Sequence, residues 1–155
     1  FADLMVATDA GGVNHGFLAS EETFGVVRQM HLDNLIVPVV GDFAGPKALR
    51  AVGQYLKAHG ATVSAIYTSN VEQYLFRDGL KWRQYYENVA TLPVDSMSTF
   101  VRAVFNFGGG GGRAMSGFGA RSVTMLQPVV DLLKAYRAGR ISSYYEVINM
   151  SRAIW

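Results

Sequence analysis

At 155 residues the chain can bury one sizeable core, and one domain is the default. Its 14 Lys and Arg against 12 Asp and Glu give a formal charge of +2, which supplies no electrostatic reason to expect nucleic acid or an anionic membrane as partner. The absence of cysteine excludes a disulfide framework and any thiolate metal site. Charged residues make up only 17% of the chain, against about 25% in ordinary domains. So apolar a composition leads to the expectation that some surface meets a further segment or subunit. With Phe1 at one end and Ile154-Trp155 at the other, the chain reads as a fragment of a longer protein. No signal-peptide pattern opens it, and the longest strongly apolar run, Leu35 to Val40, falls far short of the ~20 residues of a membrane span. No membrane span and a cytoplasmic location are expected. His15, His31 and His59 stand singly, so no metal site is expected.

In chain order, residues 1–19 carry the turn-rich Thr8-Asp9-Ala10-Gly11-Gly12 and read as a loop entering a domain over 20–155. Ser20 can cap a helix carrying Thr23, Phe24, Val27, Met30 and His31, with Glu21 and Glu22 at its positive start. Leu35 to Val40 then forms an apolar, largely β-branched run suited to a parallel strand covered on both faces, although Pro38 cannot donate a ladder bond. Gly41, Asp42 and Gly45 break the run, and Pro46 suits a first helical turn. Ala48, Leu49, Val52, Tyr55 and Leu56 form one helical stripe, which Gly60 ends before a second strand from Thr62 to Tyr67. The order strand, turn, helix, strand is that of a βαβ unit.

Beyond it, Ser69 with Glu72 fits a capping box and starts a helix near Asn70. That helix breaks at Asp78-Gly79, resumes through Trp82, Tyr85 and Tyr86, and stops at Leu92-Pro93. Thr99 to Phe105 is a third strand. Gly108 to Gly112 lacks the Lys-Ser/Thr ending of a phosphate loop and reads as part of a flexible glycine-rich loop over 106–121. Val123, Leu126, Val130 and Leu133 lay out a helix ended by Gly139, and Ser143 with Glu146 opens a last short one. Strands alternating with helices predict an α/β fold with a mainly parallel, narrow sheet and flanking helices.

In such a sheet ligands bind beyond the carboxyl ends of the strands, which directs attention to Asp42. It could meet a ligand hydroxyl or act as a base, or be a turn residue. Lys47 sits in a first helical turn, where it could meet an anion or simply be solvated. Asn70 and Glu72 lie at the same sheet edge, with helix capping as the alternative use. Arg102 in an apolar strand requires a partner, either a carboxylate such as Asp42 or Asp95 or an anionic ligand. These four, Lys47, Asn70, Glu72 and Arg102, are the candidate substrate contacts, and Asp42 is the candidate catalytic group. The aromatics Tyr74, Phe76, Trp82, Tyr85 and Tyr86 fit a core better than a flat ligand.

The block Val37-Pro38-Val39-Val40-Gly41-Asp42-Phe43-Ala44-Gly45-Pro46-Lys47-Ala48-Leu49, with Asn70 to Phe76 and Asn88 to Pro93, resembles a largely uncharacterised bacterial family related in description to class I SAM-dependent methyltransferases. The resemblance runs from about Leu18 to Phe105 and loosely again over 139–151. It implies a Rossmann-like, methyltransferase-like fold of which this chain is the C-terminal half. It also implies an N-terminal half of the same protein that carries the SAM-holding turn and acidic residue. SAM would then bind the full-length protein and not this fragment, and Asp42 would face the methyl-transfer site. The alternative is a non-catalytic Rossmann-like module that binds a small molecule or a protein partner.

Overall fold

The chain divides into two units, Phe1–Val40 and Gly41–Trp155. A computed structural model describes residues 5–105 and 122–153. In the first unit the expected helix forms as α1, Glu21–Leu32. The Ser20 hydroxyl accepts from the Thr23 N–H at 3.2 Å, and the Thr23 hydroxyl accepts from the Ser20 N–H at 3.3 Å, so Thr23 closes the capping box. Ahead of it Asp9 Oδ1 accepts from the N–H groups of Gly11 and Val13, and Asp9 Oδ2 lies 2.8 Å from His15 Nε2. No residue of α1 is buried.

The apolar run Leu35 to Val40, expected as the first strand, forms no strand. Asn34 takes φ +55 and turns the chain directly after α1. Pro38 brings no N–H to a ladder, and no strand lies hydrogen-bonded alongside among the described residues. Leu35, Val37, Val39 and Val40 are all exposed, Val40 completely at 100%.

The second unit begins with the expected helix α2, Ala48–Ala58, followed by Gly60 at φ +61. Strand β1, Ala65–Ser69, leads into α3, Val71–Arg77, and then α4, Lys81–Val89, with Gly79 at φ +57 in the break between the helices. Strand β2 spans Thr99–Phe105 as expected. Strand β3, Ser122–Pro128, comes next, followed by α5, Val129–Arg137, then α6, Tyr144–Asn149, and the short β4, Arg152–Ala153. The Ser143–Glu146 capping box of α6 forms as its spacing predicts.

The sheet order is β1-β2-β3-β4. Only β1 and β2 run parallel; β2–β3 and β3–β4 are antiparallel. The small mixed sheet overturns the expectation of a mainly parallel, Rossmann-like sheet. Leu35 to Val40 contributes no parallel strand, and residues 123–128, where the spacing of Val123 and Leu126 predicts the start of a helix, pair with β2 in a period of two instead. Met125 and Gln127 point inward there while Thr124 is exposed, and helical spacing starts only after Pro128. The glycine run Gly108 to Gly112 and the loop expected over 106–121 lie outside the described residues.

One face of the sheet carries the core. Phe100, Arg102 and Val104 of β2 are buried, and Tyr85, Tyr86, Val89, Leu132 and Val147 pack into the same interior. Gly53 lets α2 approach closely, since a Cβ there would meet the Thr91 carbonyl oxygen at 2.9 Å. On the other face Tyr67 is 69% exposed, and Val101, Ala103 and Leu126 are half-buried and belong to neither apolar cluster of the described residues. No helix among the described residues is long and apolar enough to cross a membrane.

Candidate functional site

The end of β1 decides where the polar chemistry of the second unit goes. Ser69 takes φ +49, an uncommon conformation for a residue with a Cβ, and the β1–β2 register shifts between Tyr67 and Ser69. The chain thereby turns straight into α3, whose cap residue Asn70 makes no side-chain capping bond. Glu72, expected in a capping box with Ser69, instead has its side chain buried beneath the sheet.

There it meets Arg102, which the period of two along β2 places on the buried face. Arg102 Nη2 donates to Glu72 Oε1 at 3.0 Å, and Arg102 Nε donates to Glu72 Oε2. Tyr86 Oη donates to Oε1 at 2.8 Å, and the Thr68 hydroxyl reaches Oε2 at 3.4 Å. Arg102 Nη1 extends to the Ser151 hydroxyl at 3.4 Å, and its guanidinium lies 4.4 Å from the Phe100 ring centroid. The fork matches the carboxylate in the bidentate manner that makes Arg suited to a buried pair.

Burial by itself lowers the Arg102 pKa, but the Glu72 charge and hydrogen bond outweigh it and carry the guanidinium above its usual value. Burial, and then the Glu72 charge, push the Tyr85 and Tyr86 phenols well up. The same causes raise Tyr144 to about 12. Every oxygen of Glu72 is engaged from within the protein. The pair therefore ties α3 to β2 and, through Ser151, to the chain after α6. Around it, three buried polar atoms have no protein partner among the described residues: Tyr85 Oη, Tyr144 Oη and Gln127 Oε1.

The other candidates stand apart from this cluster. Asp42 is exposed; its Oδ1 accepts from the Ala44 N–H at 2.9 Å and its carbonyl from the Gly45 N–H at 3.0 Å, which makes it a turn former. Lys47 is exposed at the start of α2, without a salt bridge among the described residues. Asn70 is half-buried beside Glu72 in sequence. Arg102 thus finds its carboxylate in Glu72, not in Asp42 or Asp95.

Sequence reasoning missed Asn88. Its side chain is buried in α4, where Nδ2 donates to the carbonyls of Phe43 and Gly45 at 2.9 and 2.8 Å, and Oδ1 accepts from Arg50 Nε at 2.7 Å. One amide thus fixes the Asp42 turn and the side of α2. The only available signal was a polar residue among the apolar positions Tyr85, Tyr86 and Val89. No group of three or more His, Cys, Asp or Glu side chains among the described residues is arranged to hold a metal ion.

A family model described as Domain of unknown function (DUF7790) matches residues 2–115. The chain belongs to the DUF7790 family. The DUF7790 match covers Asp42, Lys47, Asn70, Glu72, Asn88 and Arg102, and it ends before β3, α5 and α6. No curated protein matches the chain.

Proposed function

We propose that this DUF7790 chain is an interaction module that docks apolar surface onto another polypeptide. The observation that carries the reading is in the first unit: no residue of α1 is buried, while Phe24, Val26, Leu32, Leu35, Val37, Val39 and Val40 stand exposed. An isolated helix of 12 residues is marginal in water, and contiguous apolar exposure is the mark of a surface that is covered in use. Tyr67, Val101, Ala103 and Leu126 on the outer face of the sheet support the same reading in the second unit.

The purified chain is expected to bind a hydrophobic fluorescent dye strongly and to self-associate in sedimentation velocity runs. Val37→Asp with Val39→Asp should reduce both. A strictly monomeric chain with no dye binding and with α1 amides protected from exchange would show that the apolar surface is already covered, which ends the proposal.

A second reading is favoured by the resemblance of residues 37–49 to the methyltransferase-related family, because the exposed Val37, Val39 and Val40 fall within that block. On it, the docking partner is the polypeptide that holds SAM, and the present chain supplies no cofactor site. Saturable SAM binding by this chain alone in a calorimetric titration would overturn that division of labour.

A further inference from the structure

A cleft of about 380 Å³ opens in the second unit, away from the Glu72–Arg102 pair, where the start of α4 meets the end of α5. Trp82 and Ile141 are its buried members, and Arg83, Tyr136, Arg137 and Ser142 complete most of its lining. Trp82 is held firmly: Phe76 stacks on it at 4.8 Å with the ring planes 10° apart, and Tyr136 meets its ring at 6.1 Å and 81°.

The two guanidiniums give the cleft its character. Arg83 sits 5.0 Å from the Trp82 ring centroid, a cation–π contact that steadies the group while leaving its N–H edges free for an acceptor. Neither Arg83 nor Arg137 forms a salt bridge among the described residues, unlike Arg102. Two carboxylates border the cleft, and each is bonded to a residue of its lining. Glu146 accepts from the Ser142 and Ser143 N–H groups in the cap of α6, and those bonds hold it below the usual carboxylate range. Glu87 lies 3.5 Å from the Tyr136 hydroxyl. Glu87, Glu146 and the roughly half-unit negative charge at the carboxyl end of α5 offset the two guanidiniums at long range, so the arginines act through their N–H forks at close range and not through a net positive field.

We propose that this cleft binds a phosphate-bearing small molecule, with Arg83 and Arg137 taking the phosphate and Tyr136 and Ile141 contacting its organic part. Arginine forks suit phosphate oxygens, and the volume exceeds that of a bare phosphate, lying within the roughly 300–1,000 Å³ of small-molecule sites. The site is independent of the docking surface proposed above.

The test uses Trp82 as reporter. The chain has two tryptophans, so Trp155→Phe leaves Trp82 as the sole one. In that background, inorganic phosphate and pyrophosphate are titrated at matched ionic strength, with sodium chloride as the control. Saturable quenching is expected with both phosphates and not with chloride. Arg83→Gln with Arg137→Gln should weaken the midpoint by roughly tenfold or more, while Arg140→Gln, at an exposed position outside the cleft lining, should leave it unchanged. An unchanged thermal midpoint in each variant confirms that the fold is intact. Absence of saturation, or equal midpoints in the double variant and the parent, would overturn the proposal.

Discussion

The two units of this chain spend similar apolar side chains in opposite ways. In the second, Tyr86, Val89, Val129 and Val147 are completely buried around a sheet, and a fully buried ion pair sits within reach of them. In the first, Phe24, Leu32, Val37 and Val40 face solvent, and α1 has no buried residue. Apolar content is therefore a poor guide to a core. The second unit succeeds because its apolar residues recur with the period of the element that carries them and that element has a neighbour to pack on. The first unit has the residues, and its helix and extended run bury none of them fully.

The sharpest way to break this contrast is to attack the buried pair. Glu72→Ala leaves the Arg102 guanidinium buried and unpaired, which costs about 3–5 kcal/mol out of a typical total of roughly 5–15. Urea denaturation should therefore find the variant close to unfolding. Replacing both partners with apolar residues of similar size, Glu72→Leu with Arg102→Met, should recover most of the loss. If Glu72→Ala costs less than about 1 kcal/mol, the pair does not organise this unit.

A smaller effect separates two adjacent tyrosines. Tyr86→Phe removes a hydrogen bond to the Glu72 carboxylate and should cost about 1.5–3 kcal/mol, whereas Tyr85→Phe removes a buried hydroxyl that has no partner among the described residues and should be neutral or stabilising. The pH dependence follows from the same burial. Burial, then the Glu72 charge, raise the phenols of Tyr85, Tyr86 and Tyr144 above the ordinary 10.0 of the unfolded chain, with Tyr144 at about 12. Such groups contribute stability that is fully present below pH 10 and is lost as pH rises through the folded-state values. Alkaline unfolding should thus begin above pH 10, with tyrosinate absorbance and loss of helical circular dichroism rising together. Tyr144→Phe should make that dependence shallower. Complete tyrosinate formation with the helices intact would contradict the burial.

Local signals in the sequence located most helices, because caps and breakers act within a few residues. Ser20, Gly60, Gly79, Gly139 and the Ser143–Glu146 box all mark helix ends in the structure. Sheet topology was not legible, since a strand exists only if another chain segment completes its ladder. Leu35 to Val40 looks like a strand and has no such neighbour among the described residues, while Ser122–Pro128 is made a strand by pairing with β2. The demand of Arg102 for a buried carboxylate was readable from charge and burial, but its choice of Glu72 depended on the turn at Ser69, which no spacing rule encodes. Asn88 was hidden for the same reason: its acceptors lie at Phe43 and Gly45, far away in sequence.

The smallest expected change belongs to the first unit, and its smallness is the point. Phe24→Ala and Met30→Ala remove exposed side chains from a helix with no buried residue, so each should shift the global denaturation free energy by no more than about 0.5 kcal/mol. Hydrogen exchange should agree. Amides of α1 should open locally at little cost, because no buried side chain must leave its place, whereas those of α4, which buries Trp82, Tyr85, Tyr86, Asn88 and Val89, should exchange only when the core opens. The same substitutions should nevertheless weaken self-association, since they remove the apolar area offered to a partner. Destabilisation of several kcal/mol by Phe24→Ala would mean that α1 is already packed, and the contrast between the two units would disappear.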